Sequence, residues 1–568
     1  MPTSPLSSLA ESLHDPVLRR WRLGRLRGRW PTVEPSPAGP PACLTGLPPV
    51  TAQSTAWPAF APLPATLPTT PAVLALPGSR VKLSPGEPGA IWQHRFAMPV
   101  SQRDLHAFDW LARQPDLDPA WVAVLWQGWI DRHAEPDDGD PAWSGEVAAA
   151  RAVNLLDYAR RVGLSGGRSL AVLAAHAPAL AARIERGGST GAALTRQGWG
   201  LYRLGAELRL EAAAQSGLAI LLAEARRLIR PSGLLDTDST GAHLGHTRIY
   251  ADAWLAARRL RPADAGRLEI VLKPMLAALS ALTLPGGLPQ VGAVAAEVPR
   301  LAGLLPGRPP TSGWAGLLPP DEQACLAALR DDQHLDDLER IAADGWLRFD
   351  SGRWHGLWHR APDGWCRADA GGHHDLGGFE LHLDSRPIFV DPGSAPPDGD
   401  PELVQIYRSA VAHNGLTLDG RNPYPPARRS YSEAFRRAVT GAPPVLRAEY
   451  DGVSLYYDGF ARLGGPRHAE RRWRFAGTDL AIDDLVLGTG RFLVERRLIT
   501  PLPAHLEGDK VILSCGERRL AVTGNGMPQL HPASRWTADG TEQPLTMILF
   551  AQRVILPWRG GLGIALID

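Results

Sequence analysis

Lysine is nearly missing from this chain of 568 residues, where it occurs only at Lys82, Lys273 and Lys510. Arginine therefore carries almost all of the positive charge, and the formal net charge is +1. So balanced a charge argues against the strongly basic surface on which nucleic-acid binding depends, and no nucleic-acid partner is expected. The arginine bias can reflect genome composition alone, but guanidinium groups also suit the bidentate capture of carboxylates and sulfates.

Cysteine is scarce as well. Four cysteines lie far apart in the sequence, and no pair has the C-x-x-C spacing: they are Cys43, Cys325, Cys366 and Cys515. This distribution argues against a disulfide framework and against a thiolate zinc site.

Targeting signals and several common catalytic motifs are also absent. The N-terminus has no basic patch followed by an apolar run and a small-residue cleavage site, and no apolar stretch is long enough to span a bilayer. These absences predict a soluble cytoplasmic protein, with a periplasmic location left open. The sequence contains no P-loop, dinucleotide fingerprint, G-x-S-x-G elbow or H-E-x-x-H pair.

Hydrophobic residues make up 44% of the chain, and its length suggests roughly two to four domains. Residues 1–94 are rich in proline, with runs at 35–37 and 58–71 and an Arg/Trp cluster at 19–30, and we expect an irregular N-terminal arm. Residues 95–345 show helical spacing of apolar residues, which predicts a bundle or helix pairs closed into a toroid. The segments with the clearest helical pattern are 143–162, 168–186, 190–207, 213–229, 243–260 and 265–282.

From residue 346 the apolar period changes from helical to alternating. Apolar and polar residues alternate at 379–384, and the pattern recurs at 416–418, 473–475 and 480–482. Residues 346–568 are therefore predicted to form a large antiparallel β-sandwich, giving a multidomain chain with helices first and strands after.

The strongest local signal is the block A-G-G-H-H-D-L-G-G-F-E-L at 370–381, followed by V-D-P-G, Y-R-S and A-H-N segments. Two imidazoles and a carboxylate at the ends of neighbouring strands can converge on one divalent cation such as Zn²⁺. The predicted ligands are His373, Asp391 and His413, with His374 as the rival for the first position. The alternative is a set of unrelated surface residues.

These segments resemble the C-terminal domain of the heparinase II/III-like polysaccharide lyase family, which carries H-x-H-x-D-x-x-S-F-E-L, D-P-G and R-S-T-x-x-H-N motifs. The segments at 286–290 and 482–484 are also similar to the family. The resemblance implies an (α/α) toroid followed by a β-sandwich over about residues 95–560. It also implies a structural metal, usually zinc, held by His373, Asp391 and His413.

The same resemblance implies β-elimination at a uronic acid of an anionic polysaccharide. The family uses a tyrosine after an E-R-S-like turn, an Asn-His pair on an earlier helix and the first His of H-x-H. This sequence departs from the pattern at all three places. They correspond here to 238–242, to 191–194 and to Gly371, respectively.

Candidate substitutes lie nearby. His243, His246 and Tyr250 have helical spacings of three and four, so they could share a face that opens on the toroid groove. In this hypothesis they supply a base and an acid, and Arg248 or Arg408 neutralises the substrate carboxylate. His374 is a further candidate base. The alternative is an exposed polar first turn followed by a buried Tyr250.

Two main functional hypotheses follow. The first is a lyase that cleaves an anionic, uronate-containing polysaccharide by β-elimination. The second is a catalytically inactive relative that binds or guides a polysaccharide during cell-envelope polymer metabolism. A third, a toroid glycoside hydrolase, needs two carboxylates that face each other across the groove.

Overall fold

A computed structural model describes residues 16–30, 39–54, 56–333, 338–367, 371–428 and 430–567. The helices between residues 99 and 343 precede the three larger antiparallel sheets, as the change of apolar period predicted. Among the helices described, none has both the length and the apolar character needed to cross a membrane. The proline run at 35–37 and the first residue of the 370–381 block lie outside the described residues.

The N-terminal arm is more regular than predicted. It contains helix α1 (Pro16–Leu26) and a hairpin of strands β1 (Ala72–Leu76) and β2 (Ser79–Leu83). Proline does not prevent either element, because Pro16 begins the helix while Pro77 and Gly78 form the hairpin turn. Each element is anchored by apolar residues, since Trp21 packs in the core of the sheet region and Leu74 in that of the helical region.

The helical region follows the predicted order. Its helices are α2 (Pro99–Ala107), α3 (Trp110–Arg113), α4 (Pro119–His133), α5 (Gly145–Arg161), α6 (Ser169–Glu185), α7 (Ala192–Leu208), α8 (Glu211–Leu228), α9 (Thr240–Leu260), α10 (Pro262–Leu282), α11 (Val298–Leu301), α12 (Pro320–Asp331) and α13 (Glu339–Ala343). The six segments with the clearest pattern are α5 to α10, and their prediction is confirmed. Local chemistry sets where helices start, since the side chain of Ser239 accepts from the N–H of Ala242 at the start of α9.

Neighbouring helices pack as pairs, with α7 against α8 and α9 against α10. The α7–α8 pair is close enough that glycine is required where the backbones meet. A Cβ on Gly205 would lie 2.1 Å from the backbone nitrogen of Ala214, and one on Gly217 would lie 2.3 Å from that of Tyr202. These glycines set the distance between the two helices.

The sheet region contains β3 (Trp346–Ser351), β4 (Trp354–His359), β5 (Gly378–Leu383), β6 (Arg386–Phe389), β7 (Gly415–Leu418), β8 (Val445–Glu449), β9 (Gly452–Tyr457), β10 (Pro466–Ala476), β11 (Asp479–Gly488), β12 (Arg491–Thr500), β13 (Ala504–Glu507), β14 (Lys510–Cys515), β15 (Arg518–Gly524), β16 (Pro528–Trp536), β17 (Glu542–Ile555) and β18 (Trp558–Leu566). Two short helices, α14 (Pro401–Arg408) and α15 (Glu433–Thr440), interrupt the strands.

These strands form three antiparallel sheets. Their orders are β13-β14-β15-β18-β11-β10-β9-β8, β16-β17-β12-β7 and β3-β4-β5-β6. One apolar core joins all three sheets and includes Phe379 from β5, Trp473 from β10 and Ile548 from β17. Packing of sheets over a shared core is the sandwich that the alternating pattern predicted.

Candidate functional site

The three predicted metal ligands meet in the sheet region. His373 lies in the segment before β5, Asp391 follows β6, and His413 lies two residues before the start of β7. One potential ligand atom from each of the three residues lies within 4.8 Å of the others, and all three side chains are buried. Segments far apart in the sequence therefore build one cluster that can hold a cation.

His413 is oriented by contacts on both sides of its ring. Its Nδ1 lies 2.8 Å from Oδ2 of Asp391, and its Nε2 donates to the backbone oxygen of Tyr407 at 2.6 Å. Burial by itself would lower the pKa of His413, but the Asp391 carboxylate outweighs burial and raises this pKa to about 9. The Tyr407 carbonyl holds the proton on Nε2, so a cation would bind at Nδ1 and displace the proton that Nδ1 otherwise shares with Asp391.

His373 completes the cluster as a neutral imidazole. Its ring centroid lies 4.8 Å from that of His413, and its buried Nδ1 has no hydrogen-bond partner among the described residues. Burial, together with the nearby charge of His413, lowers the pKa of His373 to about 3. A buried nitrogen without a partner beside a carboxylate fits a metal, and two nitrogen donors with one oxygen donor suit a divalent transition metal.

His374 takes a different position. Its backbone N–H donates to the Arg408 carbonyl at 2.9 Å, and burial lowers the pKa of its half-buried side chain to about 4. The structure thus places His373 in the ligand cluster and His374 outside it. Arg408 is half-buried, and its charge contributes to the low pKa of His373.

Two residues of the motif, to which sequence reasoning gave no role, hold the ligand segments together. Asn414 donates from Nδ2 to the carbonyls of Phe379 and Val390 at 2.8 and 2.9 Å, and its Oδ1 accepts from Ile499. Glu380 accepts from the backbone N–H of Asp391 at 3.2 Å. These bonds connect β5, the end of β6 and β12 beside the cluster.

The predicted catalytic face on α9 does not form an open surface. His243 accepts from the N–H of Leu235 through Nδ1 and donates through Nε2 to the carbonyl of Met275, while the Tyr250 hydroxyl donates to the carbonyl of Leu221. Both side chains are only 1% exposed. They join α9 to its neighbours, so the prediction that they face a groove is wrong. The alternative interpretation predicted an exposed polar first turn followed by a buried Tyr250. It is right that Tyr250 is buried, but it is wrong about the first turn, because His243 is buried as well.

His246 is the member of this face that retains an available lone pair. Its Nδ1 donates to the Ala242 carbonyl at 2.9 Å, and its Nε2 has no hydrogen-bond partner within the described ranges. Burial, aided by the charge of Arg196, lowers the pKa of His246 to about 4 despite that hydrogen bond. His246 is therefore neutral near pH 7.

Two of the positions at which the sequence departs from the family meet in space. A Cβ on Gly371 would lie 3.3 Å from Cβ of Ser239, and its other nearest neighbours would be Val294 and Thr237. Gly371 has a φ of +74°, a conformation that a histidine would adopt only with strain. Hydroxyl and apolar side chains thus stand near the position that corresponds to the family's first His.

A buried ionic network joins the helical region to the sheet region at this place. Arg367 binds both Asp236 and Asp238, and His359 lies between Asp238 at 3.3 Å and Asp375 at 3.6 Å. Burial opposes the charge on His359, but the two neighbouring carboxylates outweigh burial and raise its pKa to about 9. The network connects the start of α9 to the segment that carries His373.

A groove in the helical region was not located from the sequence. It consists of two cavities of about 460 and 430 Å³, which share Asn154 and Arg248 in their walls. Helix α9 contributes Gly245, Arg248 and Ile249 to this groove, a different face from the predicted one. Its end near Arg103 reaches the sheet region, because Arg103 forms an ion pair with Asp398 at 3.0 Å.

Comparisons with known proteins agree with this architecture. Residues 334–501 match the family described as Heparinase II/III-like, C-terminal. The structure is similar to a mutant of the heparan sulfate lyase HepC from Pedobacter heparinus, with 15% identity, a TM-score of 0.54 and coverage of 84% of this chain and 78% of that one. It is also similar to heparinase III, with 15% identity, a TM-score of 0.58 and coverage of 84% and 79%.

Comparison of the sequence with curated proteins gave no match. The similarity to the two lyase structures is a similarity of fold, because 15% identity carries no information on activity. The resemblance to the heparinase II/III-like family and the predicted toroid-plus-sandwich fold are confirmed.

Proposed function

We propose that this chain, whose C-terminal domain is heparinase II/III-like, acts on an anionic, uronate-containing polysaccharide by β-elimination. The observation that carries the proposal is the match of residues 334–501 to that domain. The buried cluster of His373, Asp391 and His413 within the matched range adds support. The groove of the helical region, which reaches the sheet region at Arg103, offers a place for an extended chain.

The reaction requires a base, a group that stabilises developing negative charge, and a proton for the leaving oxygen. In the proposed mechanism, the half-buried His374 removes the proton next to the uronate carboxylate. The bond to the leaving oxygen then breaks and a carbon–carbon double bond forms. Arg408 neutralises the carboxylate, and the protonated His374 returns the proton to the leaving oxygen. The rival base, His246, has its Nε2 buried on a face of α9 that does not line the groove.

We also propose that the metal is Zn²⁺ and that its role is structural. His373, Asp391 and His413 would hold it, and the bound ion would crosslink three segments of the sheet region. The buried donor set of two nitrogens and one oxygen supports this choice.

Ultraviolet absorbance tests the lyase proposal, because each elimination creates an unsaturated uronate. Incubation with a panel of pectate, alginate, hyaluronan and heparan sulfate is expected to raise the absorbance, and His374→Ala to abolish the rise. Tyr250→Phe is expected to retain activity once folded, since its hydroxyl bonds only the Leu221 carbonyl among the described residues. The exposed His94 provides a control in His94→Ala, which should behave as the wild type.

A second function is favoured by one observation. Gly371 and Ser239 meet at positions where the family has catalytic side chains, and neither supplies an imidazole or a phenol. A relative that binds or guides a polysaccharide without cleaving it would have this arrangement. Binding to a member of the panel with no rise in absorbance would overturn the lyase proposal and support this second function.

A further inference from the structure

We infer that Arg248 is the centre of an anion-binding subsite in the groove of the helical region, and that this subsite takes the carboxylate of a uronate residue. The class of ligand rests on the proposed function. The location rests on the geometry of Arg248 alone, and it lies apart from the metal cluster of the sheet region.

Arg248 lies against two tryptophans. Its guanidinium carbon lies 4.0 Å from the ring centroid of Trp314 and 4.9 Å from that of Trp199. The residue is only 8% exposed, yet it belongs to the walls of both cavities of the groove. Stacking on aromatic rings fixes the plane of a guanidinium without using its N–H donors.

One nitrogen of this guanidinium makes no hydrogen bond to a described residue. Its Nη1 is buried and has no hydrogen-bond acceptor among the described residues. A buried donor without an acceptor destabilises the protein, and a carboxylate entering the groove would supply the missing acceptor in a charge-assisted bond.

The nearest carboxylates do not satisfy Arg248. Asp157 and Asp252 lie 3.7 and 3.8 Å away, beyond hydrogen-bonding distance. Both carboxylates are instead bound by Arg203, at 2.7 and 2.5 Å respectively. Arg203 carries one positive charge against these two carboxylates, so what Arg248 offers a ligand is the Nη1 donor that neither carboxylate reaches.

The rim of the groove supplies a second cation. Arg161 is exposed, lies 5.6 Å from the ring centroid of Tyr158 and forms no ion pair with any described residue. Both residues line the cavity of about 460 Å³, a volume that suits a short oligosaccharide. Arg161 can attract a polyanion from solution, while Arg248 fixes one carboxylate inside.

Isothermal titration calorimetry with oligogalacturonate, alginate, hyaluronan and heparan sulfate oligosaccharides tests the subsite. Wild-type protein is expected to bind at least one of them and to lose binding when the carboxyl groups are reduced to alcohols. Arg248→Gln should weaken the Kd about 10- to 100-fold, as expected for one charge-assisted hydrogen bond. Arg248→Lys should recover only part of the affinity, because lysine lacks the planar fork.

Two further variants separate binding from folding. Arg161→Gln changes an exposed side chain and is expected to weaken the Kd about 2- to 10-fold, an effect that salt should reduce. Arg259→Gln is the matched control, because Arg259 pairs with Glu207 and Glu322 in the neighbouring ionic network without lining the groove. It should bind as the wild type does.

The inference is overturned if no uronate oligosaccharide binds the wild type, if the reduced oligosaccharide binds equally well, or if the Arg248 and Arg161 variants bind as tightly as the wild type. If Arg248→Gln does not fold, Arg248→Lys and Arg161→Gln decide the matter. Arg248-dependent binding without a rise in absorbance would refute the lyase proposal and leave the subsite standing. A rise in absorbance together with binding that does not depend on Arg248 would support the lyase proposal and overturn the subsite.

Discussion

At the scale of single residues, the polar groups in and around the buried His-Asp-His cluster divide into candidate metal ligands and supporting residues. His373, Asp391 and His413 bring one donor atom each to within 4.8 Å of the others, while the Tyr407 carbonyl and Asn414 hold the segments around them. A buried carboxylate and a buried imidazole stabilise each other only as a pair, so losing one member leaves the other uncompensated.

His413→Ala is therefore expected to abolish binding of a near-stoichiometric divalent ion and to lower the free energy of unfolding by about 3–5 kcal/mol. Metal analysis of the purified protein and thermal unfolding measure the two effects. His505→Ala, at an exposed histidine, is the control and should retain the ion. Retention of the ion by His413→Ala would remove this residue from the ligand set.

At the scale of elements, the distance between paired helices is set by small residues at the crossing. Gly205 of α7 touches the backbone of α8, whereas a Cβ on Gly266 of α10 would have no neighbour within 4 Å. Glycine is thus required at one helical position and is only a weak helix former at the other.

We expect alanine substitution of these two glycines to change the free energy of unfolding in opposite directions. Gly205→Ala should lower the free energy of unfolding by about 1–3 kcal/mol, because the backbones of α7 and α8 must move apart. Gly266→Ala should raise it by about 0.5–1 kcal/mol through better helix propensity. Urea denaturation of both variants measures the difference, and equal stabilities would contradict the close packing of α7 on α8.

At the scale of the whole molecule, the two halves are joined by buried charge. His359 of β4 lies between Asp238 of the helical region and Asp375 of the sheet region, and its pKa is raised to about 9. Because the folded state binds the proton more tightly than the unfolded state, folding and protonation of His359 favour each other.

The stability of the wild type should therefore fall as pH rises. The contribution of His359 is complete below its unfolded pKa of about 6.5 and is lost as pH passes the folded value near 9, at about 1.4 kcal/mol per unit of pKa. Thermal unfolding of the metal-loaded protein from pH 6 to 10 measures it. His359→Gln should have a shallower slope over this window, and the exposed His505→Gln should keep the wild-type slope. Identical slopes for His359→Gln and the wild type would exclude His359 as the source.

The sequence by itself determined the order of the elements. Apolar spacing in 143–282 and alternation after 346 are local patterns, and a helix or strand with one buried face must display them. The members of the buried cluster, His373, Asp391 and His413, were also available from sequence, because the H-H-D, D-P-G and H-N segments keep their residue types and order. The hairpin at 72–83 was missed, since short strands beside prolines give a weak local signal.

Only the tertiary structure decided which faces meet. Helical spacing places His243, His246 and Tyr250 on one side of α9 but does not say whether that side meets α8, α10 or solvent. Packing buried that side of α9. It also placed Arg248 on the wall of the groove, in contact with Trp199 and Trp314. Rotation of a helix about its axis is set by contacts between residues remote in sequence, and the groove, the ionic network and the lone pair of His246 all depend on such contacts.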